Sequence, residues 1–200
     1  MLDHVFTDAI TALREAFEGA FLERQAFEEH FQVDVLLGDL TWETSYGLPG
    51  EGQPPRVRAD ITLDWPTWAQ TAYRSWYIGD PVDEPPELLV EVALRVQRLR
   101  EVPELKTIMR ALPDDTVSVG PGILERSGPG IEVDYDHSLV PVSVAVETAY
   151  DGGIPLDETV LEDPAQLTGA FGDLGGWIAA TLVRLGDLQL DFLPADELEE

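Results

Sequence analysis

TWAQTAYRSWYIGDPVDEPPELLVEVALRV, residues 67–96, contains a change of period that decides how the chain folds. In its first twelve residues apolar pairs recur every four positions, Trp68/Ala69, Ala72/Tyr73 and Trp76/Tyr77, with polar Gln70/Thr71 and Arg74/Ser75 between them. That is the spacing of one helix face. Thr67 followed by Gln70 matches a capping box, and Pro66 stands ahead of the cap rather than inside the helix. The spacing predicts a short aromatic helix over residues 67–78, closed by the proline-rich loop 79–86. Beyond the loop the period drops to two. Leu88, Val90, Val92, Leu94 and Val96 alternate with Leu89, Glu91, Ala93, Arg95 and Gln97, the pattern of a half-buried strand.

Upstream, residues 4–31 place Phe6, Ile10, Leu13, Phe17, Phe21, Arg24, Phe27 and Phe31 at steps of three and four, which predicts a long amphipathic helix. From Val33 the composition turns β-favouring, and GLPGEGQPP at 47–55 separates two such runs, 33–46 and 56–65, as a hairpin with a long flexible tip. Downstream, Pro103 and Pro113 bracket a helix at 103–112. Runs 116–125, 131–136 and 142–150 read as strands. A Gly- and Asp-rich loop at 151–163 leads to a helix at 164–185, with a last short strand at Leu188, Leu190 and Phe192.

The fold class is therefore α+β: a mostly antiparallel sheet with a long N-terminal helix and two further helices packed on it. Both halves run strand, strand, helix, strand. This order suggests subdomains 1–112 and 113–193 within one domain of residues 1–200, although no residue-level identity relates them, and the acidic end, 194–200, is expected to be flexible.

Composition bounds the function. The chain has 200 residues, no cysteine, 44% hydrophobic residues and a formal charge of -27. Such a chain buries roughly 70% of its unfolded surface and forms a core. Without cysteine there are no disulfides, thiol nucleophiles or iron–sulfur clusters. The charge excludes nucleic-acid or anionic-membrane binding through bulk attraction, because phosphate recognition needs Lys and Arg. Residues 1–100 carry 18 acids and 8 bases, a net -10, and residues 101–200 carry 21 acids and 4 bases, a net -17. No signal-type or membrane-spanning stretch occurs, so a cytoplasmic protein is expected.

Raw material for catalysis is thin. Only His4, His30 and His137 are present, and no HExxH, GxSxG, GxxxxGK[ST] or GxGxxG occurs. Asp134, Asp136 and His137 form the best constellation, since alternate residues of an extended strand project to one face about 7 Å apart. Two carboxylates and an imidazole there could begin a metal site, and Asp151, Asp157, Glu158 and Glu162–Asp163 could extend it, although their spacing is not that of an EF-hand. A DxDH run in so acidic a chain also arises simply as a solvated turn, so neither a metal nor a cofactor is assigned. Arg95, Arg98, Arg100, Lys106 and Arg110 form the one basic island, suited to a phosphate or a partner carboxylate or, more simply, to pairing with Glu91, Glu101 and Glu104. Trp65, Trp68, Tyr73, Trp76 and Tyr77 are core residues or, where exposed, partner anchors.

Leaning away from catalysis, these features point to an acidic protein-binding module, an adaptor or subunit of a larger assembly. Its partner would be another protein with a basic or aromatic-accepting surface. The alternatives are an acidic decoy that mimics nucleic acid in a basic cleft, and a metal-assisted hydrolase centred on Asp134, Asp136 and His137. The layout of charge separates the first two: a decoy arrays carboxylates in a row across one face, whereas an adaptor shows a mixed patch with aromatic anchors.

Overall fold

The computed structural model describes residues 3–21, 27–36, 38–48, 54–82, 84–157, 160 and 164–194. Eight strands form one antiparallel sheet: β1 (Phe27–Leu36), β2 (Asp39–Gly47), β3 (Val57–Trp65), β4 (Glu87–Leu99), β5 (Thr116–Val119), β6 (Gly122–Arg126), β7 (Gly130–Tyr135) and β8 (Pro141–Pro155). With them come the helices α1 (Asp3–Phe21), α2 (Thr67–Tyr77), α3 (Leu105–Ala111) and α4 (Pro164–Gly186). The architecture is α+β.

Strands run β1-β2-β3-β4-β8-β6-β5 across the sheet, and β7 shares an edge of β8 with β6. β8 is long enough for both: residues 150–153 pair with β6 and residues 141–147 with β7. Alternation decides the two faces. Along β3, Val57, Ala59, Ile61, Leu63 and Trp65 are buried, while Arg58, Asp60, Thr62 and Asp64 turn to the other side. β4 continues the pattern through Leu88, Val90, Val92, Leu94 and Val96. Inward residues meet Phe6, Ala9 and Leu13 of α1 and Leu167, Phe171, Leu174 and Ile178 of α4 in one continuous core. At the helix crossing Gly175 permits close approach, since a Cβ there would lie 2.7 Å from the Ala16 Cβ and 3.1 Å from the Leu13 carbonyl oxygen. Among the described residues one sheet face is thus covered and the other is open.

The β4–β8 register slips between Val96 and Leu99, where Arg98 adopts a left-handed φ of 61°. Its guanidinium is buried and donates to the carbonyls of Pro54 at 3.1 Å and Leu193 at 2.7 Å. Gln97 donates to the Pro55 carbonyl at 2.6 Å. A bulge thereby re-aims two polar side chains to fasten the β2–β3 connection and the segment after α4 onto the sheet.

Several expectations require correction. The helix expected to run to residue 31 ends at Phe21, and Phe27–Leu36 is a strand paired along its length with β2. A step of four, as from Phe27 to Phe31, is even as well as helical, so the same spacing also suits a strand. The run 33–46 is split at Gly38, whose φ of 94° makes the turn, and the hairpin on either side of 47–55 is β2–β3; residues 49–53 of its tip lie outside the described residues. Run 116–125 is two strands, divided at Gly120, where φ is 54°. The Gly- and Asp-rich loop begins five residues late, because β8 continues to Pro155. Residues 188–192 contribute one bridge, Leu99 with Phe192, instead of a strand. Among the described residues the second half accordingly runs four strands before its long helix, which is not the order of the first. Residues 195–200 lie outside the described set.

Helix α2 keeps its place by a device other than a capping box. No side-chain cap comes from its own first turn; the Asp39 carboxylate, at the start of β2, accepts from the Thr67 amide at 2.5 Å and the Thr67 hydroxyl at 2.6 Å. Gln70, expected to close the box, donates to the carbonyls of Gly38 and Trp65. The Thr67 bonds lower the Asp39 pKa below its ordinary 3.8. A depressed folded-state value means the stabilisation is complete above the unfolded pKa and is lost as pH falls through the folded one. The urea midpoint of Asp39→Asn is expected to lie below wild type near pH 7, with the gap narrowing towards about pH 3. An equal gap at both values would show that the charge plays no part.

Candidate functional site

The open face is built by register. Pairing places Glu43 of β2 opposite Thr62 of β3, Thr62 opposite Glu91 of β4, Glu91 opposite Asp151 of β8, and Asp151 opposite Glu125 of β6. Neighbouring strands are about 4.8 Å apart, so this row carries four carboxylates in about 19 Å. All four residues are exposed. Glu91, Asp151 and Glu125 are consecutive, and like charges directly opposite destabilise a sheet. Among the described residues none of the four makes an ion pair.

Other acids flank the row. Asp64 accepts from the Thr41 hydroxyl at 2.5 Å, and Asp60 accepts from Ser45 and, at 2.9 Å, from Arg58. Two shallow hollows open here. One, of about 290 Å³, is lined by Glu43, Thr44, Ser45, Asp60, Ile61 and Thr62; the other, of about 280 Å³, is lined by Asp64, Leu89, Val90, Glu91, Asp151 and Gly152. Glu43 and Asp60 line the first, and Asp64, Glu91 and Asp151 the second.

The basic island is dispersed by the fold. Arg95 lies on the open face between Glu147, at 3.2 Å, and Glu132. Partial burial works to lower its pKa, but the hydrogen bonds and charges of Glu132 and Glu147 outweigh burial and raise it. Arg98 is buried at the bulge, and Arg100 pairs with Asp191 at 3.4 Å. Lys106 and Arg110 are exposed on α3. The ion-pair partners Glu132, Glu147 and Asp191 are far along the chain, in place of Glu91, Glu101 and Glu104, because β4–β8–β7 pairing brings the first two to Arg95 and the Leu99–Phe192 bridge brings Asp191 to Arg100.

The aromatic group divides as well. Trp65 is fully buried and touches Phe6 and Tyr73. Tyr73 stacks on Trp76 at 5.8 Å and contacts Tyr77; burial raises its pKa, with the charge of Tyr77 a smaller cause. Trp68 at 47% exposure and Tyr77 at 55% face solvent. Nine positions apart at about 100° per residue, they lie on opposite sides of α2 and do not make one anchor patch.

Asp134, Asp136 and His137 are parted where β7 ends. The register shifts between Asp134 and Tyr135. Asp134 accepts from the Ser143 hydroxyl at 2.6 Å, whereas Asp136 accepts from the amides of Ser138 and Val140, both at 2.8 Å, and forms a turn. His137 is exposed in that turn. Asp151 belongs to the row, and Asp157 accepts from the Val160 amide at 3.0 Å; Glu158, Glu162 and Asp163 lie outside the described residues. Among the described residues no three His, Asp or Glu side chains converge as metal ligands. Nor is any described helix long and apolar enough to cross a membrane.

The acidic row itself is absent from the sequence-level candidates. Its signal was present in the outward positions of alternating strands, but it needed the register to become visible. No family model, no curated protein and no solved structure matches the chain.

Proposed function

We propose that this protein is a non-enzymatic binding protein whose open sheet face receives a basic protein surface, of the kind that otherwise holds nucleic-acid phosphates. The observation that carries this reading is the row Glu43, Glu91, Asp151 and Glu125, exposed and without ion pairs among the described residues. Such a row is electrostatically costly to the free sheet. A partner that brings Lys or Arg to it relieves the repulsion and gains charge-assisted hydrogen bonds. The two acid-lined hollows supply seats for those side chains. An adaptor anchored on aromatics is the second reading, supported by the exposure of Tyr77 and of Ile78, at 71%, at the end of α2.

Two sets of variants separate the readings. A partner captured from the protein's own cells is measured against Glu43→Gln/Glu91→Gln/Glu125→Gln/Asp151→Asn and against Trp68→Ala/Tyr77→Ala. The charge variant is expected to weaken binding by about tenfold or more, the aromatic variant by less than about twofold, and duplex DNA to compete for the partner. Raised NaCl should weaken capture as the Debye length shrinks from about 10 Å at 0.1 M to about 3 Å at 1 M. Loss of capture in the aromatic variant alone would replace this reading with the adaptor.

A further inference from the structure

We propose that β7 is a docking edge that accepts one extended peptide segment in which basic and apolar residues alternate. It shares with the function proposed above only the basic character of the partner; the surface is the rim of the sheet rather than its face. Among the described residues β7 pairs with β8 alone, so its other edge presents backbone donors and acceptors to solvent. Five of its six residues are exposed. An added strand on such an edge gains a hydrogen-bond ladder, and its side chains stand beside those of the host with period two.

The host's two faces then prescribe the guest. On one face stand Glu132 and Asp134, beside Ala145 and Ser143 of β8. Glu132 and Glu147 share the single guanidinium of Arg95, which leaves this corner with surplus negative charge. On the other face stand Ile131, 44% exposed, Val133, packed against the core, and Tyr135, 57% exposed. A guest strand therefore meets carboxylates with every second residue and apolar side chains with the residues between. Lys or Arg alternating with Val, Ile or Tyr satisfies both. A second copy of this chain does not fit, because an antiparallel β7 pair would bring the carboxylates of Glu132 and Asp134 against those of its twin. Edge charges alone would serve to keep neighbours away, but here they are interleaved with exposed apolar side chains that only a partner covers.

The test uses the full chain and a labelled eight-residue peptide of alternating Lys and Val, followed by fluorescence anisotropy and amide hydrogen exchange. Controls are a block peptide of the same composition and the alternating peptide N-methylated at every second residue, which keeps its charge but cannot form the ladder. The alternating peptide is expected to bind about tenfold more tightly than either control and to slow exchange within residues 130–135. Glu132→Gln/Asp134→Asn should weaken it by about tenfold, and Glu43→Gln/Glu91→Gln by less than about twofold. Equal binding of the block or N-methylated peptide would overturn the proposal, reducing it to bulk attraction. So would retention by Glu132→Gln/Asp134→Asn with loss in Glu43→Gln/Glu91→Gln, which places the peptide on the open face and leaves the function proposed above standing.

Discussion

Phe171→Ala is expected to destabilise the protein by about 3–5 kcal/mol, the usual cost of emptying a fully buried phenyl site. Phe171 is wholly buried in α4, in the layer that joins the helices to the sheet. Leu167, Leu174 and Ile178 of the same helix belong to the same core. In a chain of this size the loss corresponds to roughly 2–4 °C of Tm per kcal/mol. Urea unfolding measures it directly, with Tyr135→Ala, an exposed aromatic, expected within about 0.5 kcal/mol of wild type. A loss below about 1 kcal/mol for Phe171→Ala would mean that α4 packs far more loosely than the core implies.

Gly152→Ala is expected to cost about 3 kcal/mol, at the upper end of overpacking effects, and to act locally. Gly152 lies within β8, where a Cβ would collide with the Ile123 carbonyl oxygen and stand 3.2 Å from the Leu124 Cα, both backbone atoms of β6. Backbone cannot swing aside as a side-chain tip does. The substitution should therefore part β6 from β8 and free the β5–β6 hairpin, while β1 to β4 keep their pairing. Hydrogen exchange would show the difference as faster exchange confined to residues 116–126 and their partners in β8. A stability equal to wild type would show that β6 can shift without loss.

Gly152 also illustrates why part of the fold was hidden. Asp151, Gly152 and Gly153 have the composition of a loop, and nothing local reveals that at Gly152 the backbone of β6 comes so close that only glycine fits. β4 was legible because its alternation is long and its inward residues are all Leu or Val. At Phe27 and Phe31 a spacing common to helix and strand was resolved by pairing with β2, a contact made across a turn. The capping-box pattern at α2 misleads for a similar reason: Thr67 and Gln70 have the right types and spacing, yet both bond to groups outside the helix. In the candidate site, the excess of acid was visible but its geometry was not. Glu43, Glu91, Glu125 and Asp151 span more than a hundred positions and become neighbours only through five strands in register.

The central pairing of the sheet also constrains how the chain is made. β4 ends at Leu99, and the strand that covers its free edge is complete only at Pro155. At about 5–20 residues per second, synthesis of that interval takes roughly 3–11 s. During it the four-stranded meander β1–β4 has neither β8 beside it nor α4 over its apolar face, and α1 still lacks its helical partner. Its defence against association in that interval is repulsion: the first 100 residues already carry a net -10. The acidity that shapes the mature surface thus also acts earlier, as a solubilising charge on a half-made sheet.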